Sequence, residues 1–332
     1  MTASATSPNE HLNAPWRRAL HQGEIAGLLA MRDIRSLFSI ALNWGIVFAA
    51  FGLVAFFPNP LTILVALLLI GARQLGFAVL MHEASHRSLF ARKSTNDALG
   101  NWLCAYPIWS DLGPYRPYHL SHHARTGSAE DPDIGLVRPF PITPRSLRRK
   151  LVRDLTGQTG LKFARAGWRR TFAVMRGDPE ARRAALGFAL TNAVLLGILI
   201  AFGYPALYLL WVIAWLTTYT AVTRIRSIAE HALTPDADDP LGNTRTTRAS
   251  WWERLLIAPN RVNYHLEHHL LMTVPHYNLP RMHRLLSERG ILANACLATG
   301  YFEILRNATS DRSGTDSEDS DPEEQLSHVN GI

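Results

Sequence analysis

The sequence predicts an all-α integral membrane protein, with four transmembrane helices in two hairpins beneath a cytoplasmic helical cap that carries a histidine-rich metal site. Three observations predict it. Four apolar stretches reach the roughly 20 residues a helix needs to cross a bilayer. Tight Pro/Gly turns join them in pairs. Fourteen histidines occur in 332 residues, and nine of them cluster just outside the apolar stretches.

Residues 1–36 form an N-terminal cytoplasmic segment. Met1 to Pro15 is rich in Ser, Thr, Asn and Pro and reads as disordered. No apolar core or cleavage site marks a signal peptide there. The spans are expected near 37–57, 61–80, 185–203 and 205–222. None contains Asp or Glu, and only Arg73 brings a full charge. Pro58-Asn59-Pro60 and Gly203-Tyr204-Pro205 turn each pair back on itself, because Pro and Gly break helices and pre-set turns. Arg73 reads as a snorkelling side chain, with a polar contact inside the bundle as the alternative. A run at 98–109 is too short to span. It reads as a buried cap helix or a re-entrant piece.

Two hairpins leave the N-terminus, the middle segment and the C-terminal third on one face. Arg145 to Arg183 alone carries twelve basic residues against three acidic ones. The positive-inside rule makes that face cytoplasmic, in a bacterial-type inner membrane or its equivalent. Residues 1–307 sum to +13 and residues 308–332 to −6, which together give the net +7. The basic body fits anionic lipid rather than nucleic acid. The acidic 308–332 segment reads as a disordered tail. Two cysteines, Cys104 and Cys296, build neither a disulfide framework nor a four-cysteine zinc site.

The histidine clusters carry the chemistry. His82-Glu-Ala-Ser-His86 follows the second span, and i, i+4 spacing sets both imidazoles on one helix face. His119-Leu-Ser-His122-His123 and His265-Leu-Glu-His268-His269 each offer three nitrogens to one polar spot. His231 follows the fourth span. These nine are the candidate metal ligands and catalytic residues. His11, His21 and His328 read as ordinary. His276 and His283 lie near enough to the third cluster to stand behind its ligands. Imidazole suits zinc, copper, iron and nickel, but nine are too many for one ion and fit two ions with open positions. Two redox-active irons at a membrane face point to oxygen activation and attack on an unactivated C–H bond. His82–His86 also matches the zinc-protease pattern H-E-x-x-H. That reading leaves seven clustered histidines unexplained and finds no Asp, Glu or His in the later spans to complete a zinc site.

The pieces His82-Glu-Ala-Ser-His-Arg-Ser-Leu-Phe90, Tyr115-Arg-Pro-Tyr-His-Leu-Ser-His-His123, Asp131-Pro-Asp133 and Asn263-Tyr-His-Leu-Glu-His-His269 resemble the membrane fatty-acid desaturase superfamily. So does Tyr277-Asn-Leu-Pro-Arg-Met-His283. The likeness covers about residues 75–289 and makes 37–307 a desaturase-like membrane domain. It implies a di-iron centre of two iron ions held by His82, His86, His119, His122, His123, His231, His265, His268 and His269. Some relatives place an Asn one turn before the lone histidine; here that position is Ser227, and the role is not carried over. The resemblance further implies reduction of O2 coupled to removal of hydrogens from adjacent carbons of an apolar chain. With no cofactor loop in the sequence, electrons come from outside, through a ferredoxin-type donor and its reductase. Arg145–Arg183 either steers that donor or touches lipid phosphates; the second reading is preferred. Glu83, Glu230, Glu267, Asp131 and Asp133 are candidates to hold the ligands' second nitrogens. The main expectation is formation of a C=C bond in an acyl chain or lipid. The alternatives are a hydroxylase, ketolase or epoxidase acting on a carotenoid, sterol-like or other small amphiphile or an amino-acid-derived product, and a metal carrier. The carrier is disfavoured because the histidines lie outside the spans.

Overall fold

The computed structural model describes residues 14–175 and 177–309. The expected disorder of residues 1–13, the tail from residue 310, His11 and His328 lie outside the described residues. The chain is mostly helical, and four of its helices are long and apolar enough to cross a membrane.

Helix α1 (Pro15–Arg18) and helix α2 (Gln22–Leu29) precede the first long helix, α3 (Asp33–Phe56). Helix α4 (Pro60–Ser85) follows after a tight turn. Asn59 makes that turn, since its side chain accepts from the backbone N–H groups of Leu61 and Thr62 with Pro60 at the first helical position. Nothing in the sequence stops α4 where the apolar stretch ends. It runs five residues past the expected boundary, holds His82 in its last turn and sets His86 at its C-cap. Gly71 allows this central helix a close approach. A methyl group there would sit 2.2 Å from the Thr218 hydroxyl.

Helix α5 (Lys93–Leu99) leads into an irregular stretch, a wide-turned Gly100–Ala105 and a tight Tyr106–Ile108. This is the run expected to be either cap or re-entrant, and it lies among the long helices. Its carbonyls are met by their side chains: Trp44 Nε1 donates to Leu103 at 3.1 Å and Trp215 Nε1 donates to Ile108 at 3.0 Å. Non-helical backbone is tolerated at such a place only when protein satisfies it.

Helices α6 (Leu112–Arg125), α7 (Ile134–Val137), α8 (Pro144–Leu155) and α9 (Gln158–Met175) form the middle segment. The third long helix is α10 (Pro179–Ala201). The fourth, expected as one span over 205–222, is one long helix, Pro205–His231, with a break that divides it into α11 (Tyr208–Leu216) and α12 (Thr218–His231). They break at Thr217, whose hydroxyl donates back to the Ile213 carbonyl at 2.6 Å. Such back-bonding by threonine bends helices.

A two-residue strand β1 (Thr246–Thr247) and helices α13 (Trp251–Leu256), α14 (His265–Leu270) and α15 (Leu279–Glu288) follow. Strand β2 (Leu297–Ala298), parallel to β1, and helix α16 (Tyr301–Asn307) complete the described chain. Trp16, Leu20 and Leu28 are buried against Leu266, Met282 and Leu286. Burying each such side chain contributes roughly 1.5–3 kcal/mol, so the N-terminal helices strap the third histidine cluster.

Two expectations are corrected. Arg73 does not snorkel: it is buried, and its Nη2 donates to the Leu255 carbonyl. Helix α13 packs beside α4 at that level, so part of the C-terminal third lies alongside the apolar stretch rather than beyond it. The ordered body also extends past residue 307. Ala308 is fully buried and its carbonyl accepts from the Ile142 N–H at 3.0 Å.

Candidate metal centre

Helices α4, α6, α12 and α14 bring all nine predicted histidines together, in two adjoining sets. His82, His86, His119, His123 and His268 form one set; His122, His231, His265 and His269 form the other. Within each set, one nitrogen per residue lies within 4.8 Å of every other. The expectation that each cluster serves a single spot is corrected. On α6, His119 and His123 are one turn apart and face the first set, while His122 turns to the second. On α14 the split reverses, with His265 and His269 in the second set and His268 in the first. Neighbours on a helix point about 100° apart, so an H-x-x-H-H run feeds two centres.

The donor set fits metal ions. His86 and His119 Nε2 atoms lie 2.9 Å apart, His119 and His123 3.0 Å, His123 and His268 3.1 Å, and His231 and His265 2.8 Å. Nitrogens bound at about 2.1 Å and at right angles around one ion stand roughly 3.0 Å apart. Both nitrogens of His82, Nδ1 of His86 and of His268, and Nε2 of His269 are buried without a hydrogen-bond partner. Such orphaned polar atoms are costly unless something else binds them. Burial, with repulsion from neighbouring imidazoles added, holds the pKa values of His86, His119, His123, His265, His268 and His269 well below the usual histidine range. They are therefore neutral, as metal ligands must be.

The carboxylates behind the ligands do different work. Asp131 Oδ1 accepts from His122 Nδ1 at 2.8 Å, and the backbone N–H groups of Gly127 and Asp133 fix that carboxylate in turn. Burial disfavours the His122 imidazolium, but the Asp131 hydrogen bond and the Asp133 and Asp131 charges outweigh it and raise the His122 pKa. Glu83 lies 3.5 Å from His82 Nδ1 and accepts from the His276 backbone N–H at 2.8 Å. Glu230 pairs with Arg226 at 2.6 Å and stands 3.4 Å from His265 Nε2. Glu267 contacts none of the nine: it accepts from His283 Nδ1 at 2.6 Å and the Thr246 hydroxyl at 2.5 Å, and so ties α14 to α15 and β1. His276 bonds Ser39 of α3 through Nε2 at 2.9 Å. Sequence reasoning missed Thr126, which faces His269 Nδ1 at 3.3 Å, and Tyr115, whose ring stacks on His119 at 5.2 Å. Their spacing was the available signal, since each lies within one turn of a cluster residue. Ser39 and Thr246 come from distant chain and gave none.

Beside the histidines is a small pocket, with room for about one water molecule, lined by Val79, His82, Glu83, Asn260, Val262, His265, His268, His276 and Leu279. Asn260 is held by donating to the Gly76 carbonyl at 2.7 Å and accepting from Asn43 Nδ2 at 3.1 Å.

Long apolar helices bearing two adjoining histidine sets are those of a membrane protein with a candidate metal site. The family model for fatty acid desaturase matches residues 58–299, and the chain belongs to the fatty acid desaturase family. It is similar to the dihydrorhizobitoxine desaturase of Bradyrhizobium elkanii, 28% identical over 235 residues and 66% of each chain. It also resembles the chloroplastic omega-6 fatty acid desaturase of Brassica napus, 26% identical over 259 residues, 71% of this chain and 56% of that one. A third relative is the sn-1 oleoyl-lipid 12-desaturase of Synechocystis sp., 24% identical over 241 residues and 66% of each chain. The chain spans between about half and two thirds of the length of the curated relatives it matches.

Proposed function

We propose that this chain is an O2-dependent membrane oxidoreductase that introduces a C=C bond into an acyl chain or lipid, with nine histidines holding two iron ions. The observation that carries the reading is the sorting of nine buried or half-buried imidazoles into sets of five and four. One ion leaves several of them without a role. Family membership supports the reading, as do relatives named for desaturation of fatty acids and of an oleoyl lipid. His82, His86, His119, His123 and His268 would hold one iron, and His122, His231, His265 and His269 the other. The chemistry supplied by two irons there is reduction of O2, with two electrons from the substrate C–H bonds and two from an external ferredoxin-type donor.

The chain's own groups prepare that chemistry. Asp131 holds the proton on His122 Nδ1, which directs Nε2 toward its set. Burial limits water around His82, His86, His119, His122, His265 and His268. Val79, Val262 and Leu279 are the apolar side chains that share a water-sized pocket with His82 and His268. The topology proposed is two membrane hairpins with the histidine sets on the cytoplasmic side, supported by the basic excess of residues 1–307.

A second reading keeps the centre and changes the substrate to a small amphiphile, favoured by the dihydrorhizobitoxine desaturase among the relatives. Hydroxylation, ketone formation and epoxidation remain alternatives to desaturation. Expression in a host, with lipids and metabolites profiled by mass spectrometry, separates them. A product lighter by two hydrogens means desaturation; one heavier by an oxygen means hydroxylation or epoxidation. Purified protein is expected to carry close to two irons per chain. Zinc at one per chain would falsify the oxygenase reading.

A further inference from the structure

We infer that helix α9 is an in-plane anchor that binds the interface of an anionic bilayer, so that its basic row meets lipid phosphate rather than an acidic electron donor. The inference rests on the two-hairpin topology proposed above.

Position is the first argument. At its start, α9 presses on the end of α11: a methyl group at Gly160 would lie 2.4 Å from the Leu216 carbonyl oxygen. At its end, it passes within a few residues into α10, whose first turn is capped by Asp178 at 2.8 Å from the Glu180 N–H. The start of α9 is thus held against the break in the fourth long helix, and its end leads into the third. A helix of 18 residues, about 27 Å long, joins those two points along the surface.

The outward face supplies the second argument. Thr159 and Phe163 are buried toward the bundle. Leu161, Trp168 and Phe172, spaced i, i+7, i+11, form one outward stripe and are 45%, 67% and 51% exposed. The Trp168 and Phe172 rings pack together at 4.6 Å between centroids. A soluble surface does not spend a Trp–Phe pair on water. Arg165 and Arg169, both exposed, run beside that stripe one turn apart. An apolar stripe with aromatic members flanked by arginines is the pattern of a helix lying in a headgroup layer. Basic residues near the surface attract anionic lipid. An acidic protein partner explains the arginines and leaves the Trp168–Phe172 stripe without a role.

The test uses the full-length chain in vesicles of phosphatidylcholine, alone or mixed with phosphatidylglycerol. Trp168→Cys, in a Cys104→Ala, Cys296→Ser background, carries an environment-sensitive fluorophore. The expected result is strong quenching by chain-brominated lipid and shielding from aqueous acrylamide. Arg165→Glu with Arg169→Glu should abolish the part of the quenching that depends on phosphatidylglycerol. A label open to acrylamide and untouched by brominated lipid overturns the inference. So does a label shielded only when an acidic ferredoxin is added. Tyr204→Cys, on the turn at the far end of α10, reports the topology separately. If labels at 168 and 204 react from the same side of sealed vesicles, the hairpin reading itself fails. If they react from opposite sides while position 168 is in water, only the anchor fails.

Discussion

Asp131 is the carboxylate that most directly shapes a histidine, because it orients His122 and is itself fixed by two backbone donors. Asp131→Asn keeps the shape and removes the charge. It should weaken metal affinity by about 10- to 100-fold, read by metal titration of the metal-free protein. The depressed imidazoles give a pH prediction. Burial holds their folded pKa values below the ordinary histidine value of about 6.5, so the unfolded chain binds more protons as pH falls past that value. Stability rises with pH wherever the unfolded state holds more protons. The metal-free protein should therefore keep its full stability above that pH and lose it progressively below. Melting curves between pH 8 and pH 5 check this, and a metal-loaded sample should lose less. Burial pushes the Cys104 thiol up, so a small alkylating reagent at neutral pH should leave Cys104 unmodified in folded protein. Intact-mass measurement shows it. Eight of the nine histidines were legible because they fall in tight runs, and His231 by its place after the fourth span and by the family resemblance. Their division between two sets was not, since it depends on where α6 and α14 meet.

Helices were legible by length and apolarity, and their ends were not. Apolar content marks where a bilayer stops, whereas hydrogen bonding decides where a helix stops; hence α4 runs on to His82. Helix α13, six residues long, was invisible for another reason. Isolated helices so short are unstable, and packing alone fixes them. The break at Thr217 was missed because its causes, a run of threonines and α9 pressing on Leu216, were half local and half distant. Gly160→Ala should place a methyl group against immovable backbone there and destabilise the protein by about 1–3 kcal/mol, visible as a lower melting temperature in detergent. Trp215→Phe keeps the bulk and leaves the Ile108 carbonyl without its donor, at a cost of about 1–3 kcal/mol. A shift of melting temperature with unchanged metal content is expected.

At the scale of the molecule, the composition separated a membrane protein from a soluble one, while the C-terminal third defied it. That third is polar enough to read as lying wholly outside the bilayer, yet Leu255 and Asn260 reach back to Arg73 and Gly76 on α4. The contact is bought with single polar atoms, which composition averages away. Expression without residues 1–29 should remove the Trp16, Leu20 and Leu28 strap. The third cluster should loosen first, with faster hydrogen exchange across 265–288 than across 112–125. One consequence concerns the order of biogenesis. His123 and His268 lie 145 residues apart in sequence and 3.1 Å apart in space. Six of the nine imidazoles leave the ribosome before α14 has been made, so neither set can close on a nascent chain. Each set needs members from α14, so neither can be complete before residue 268 has been made.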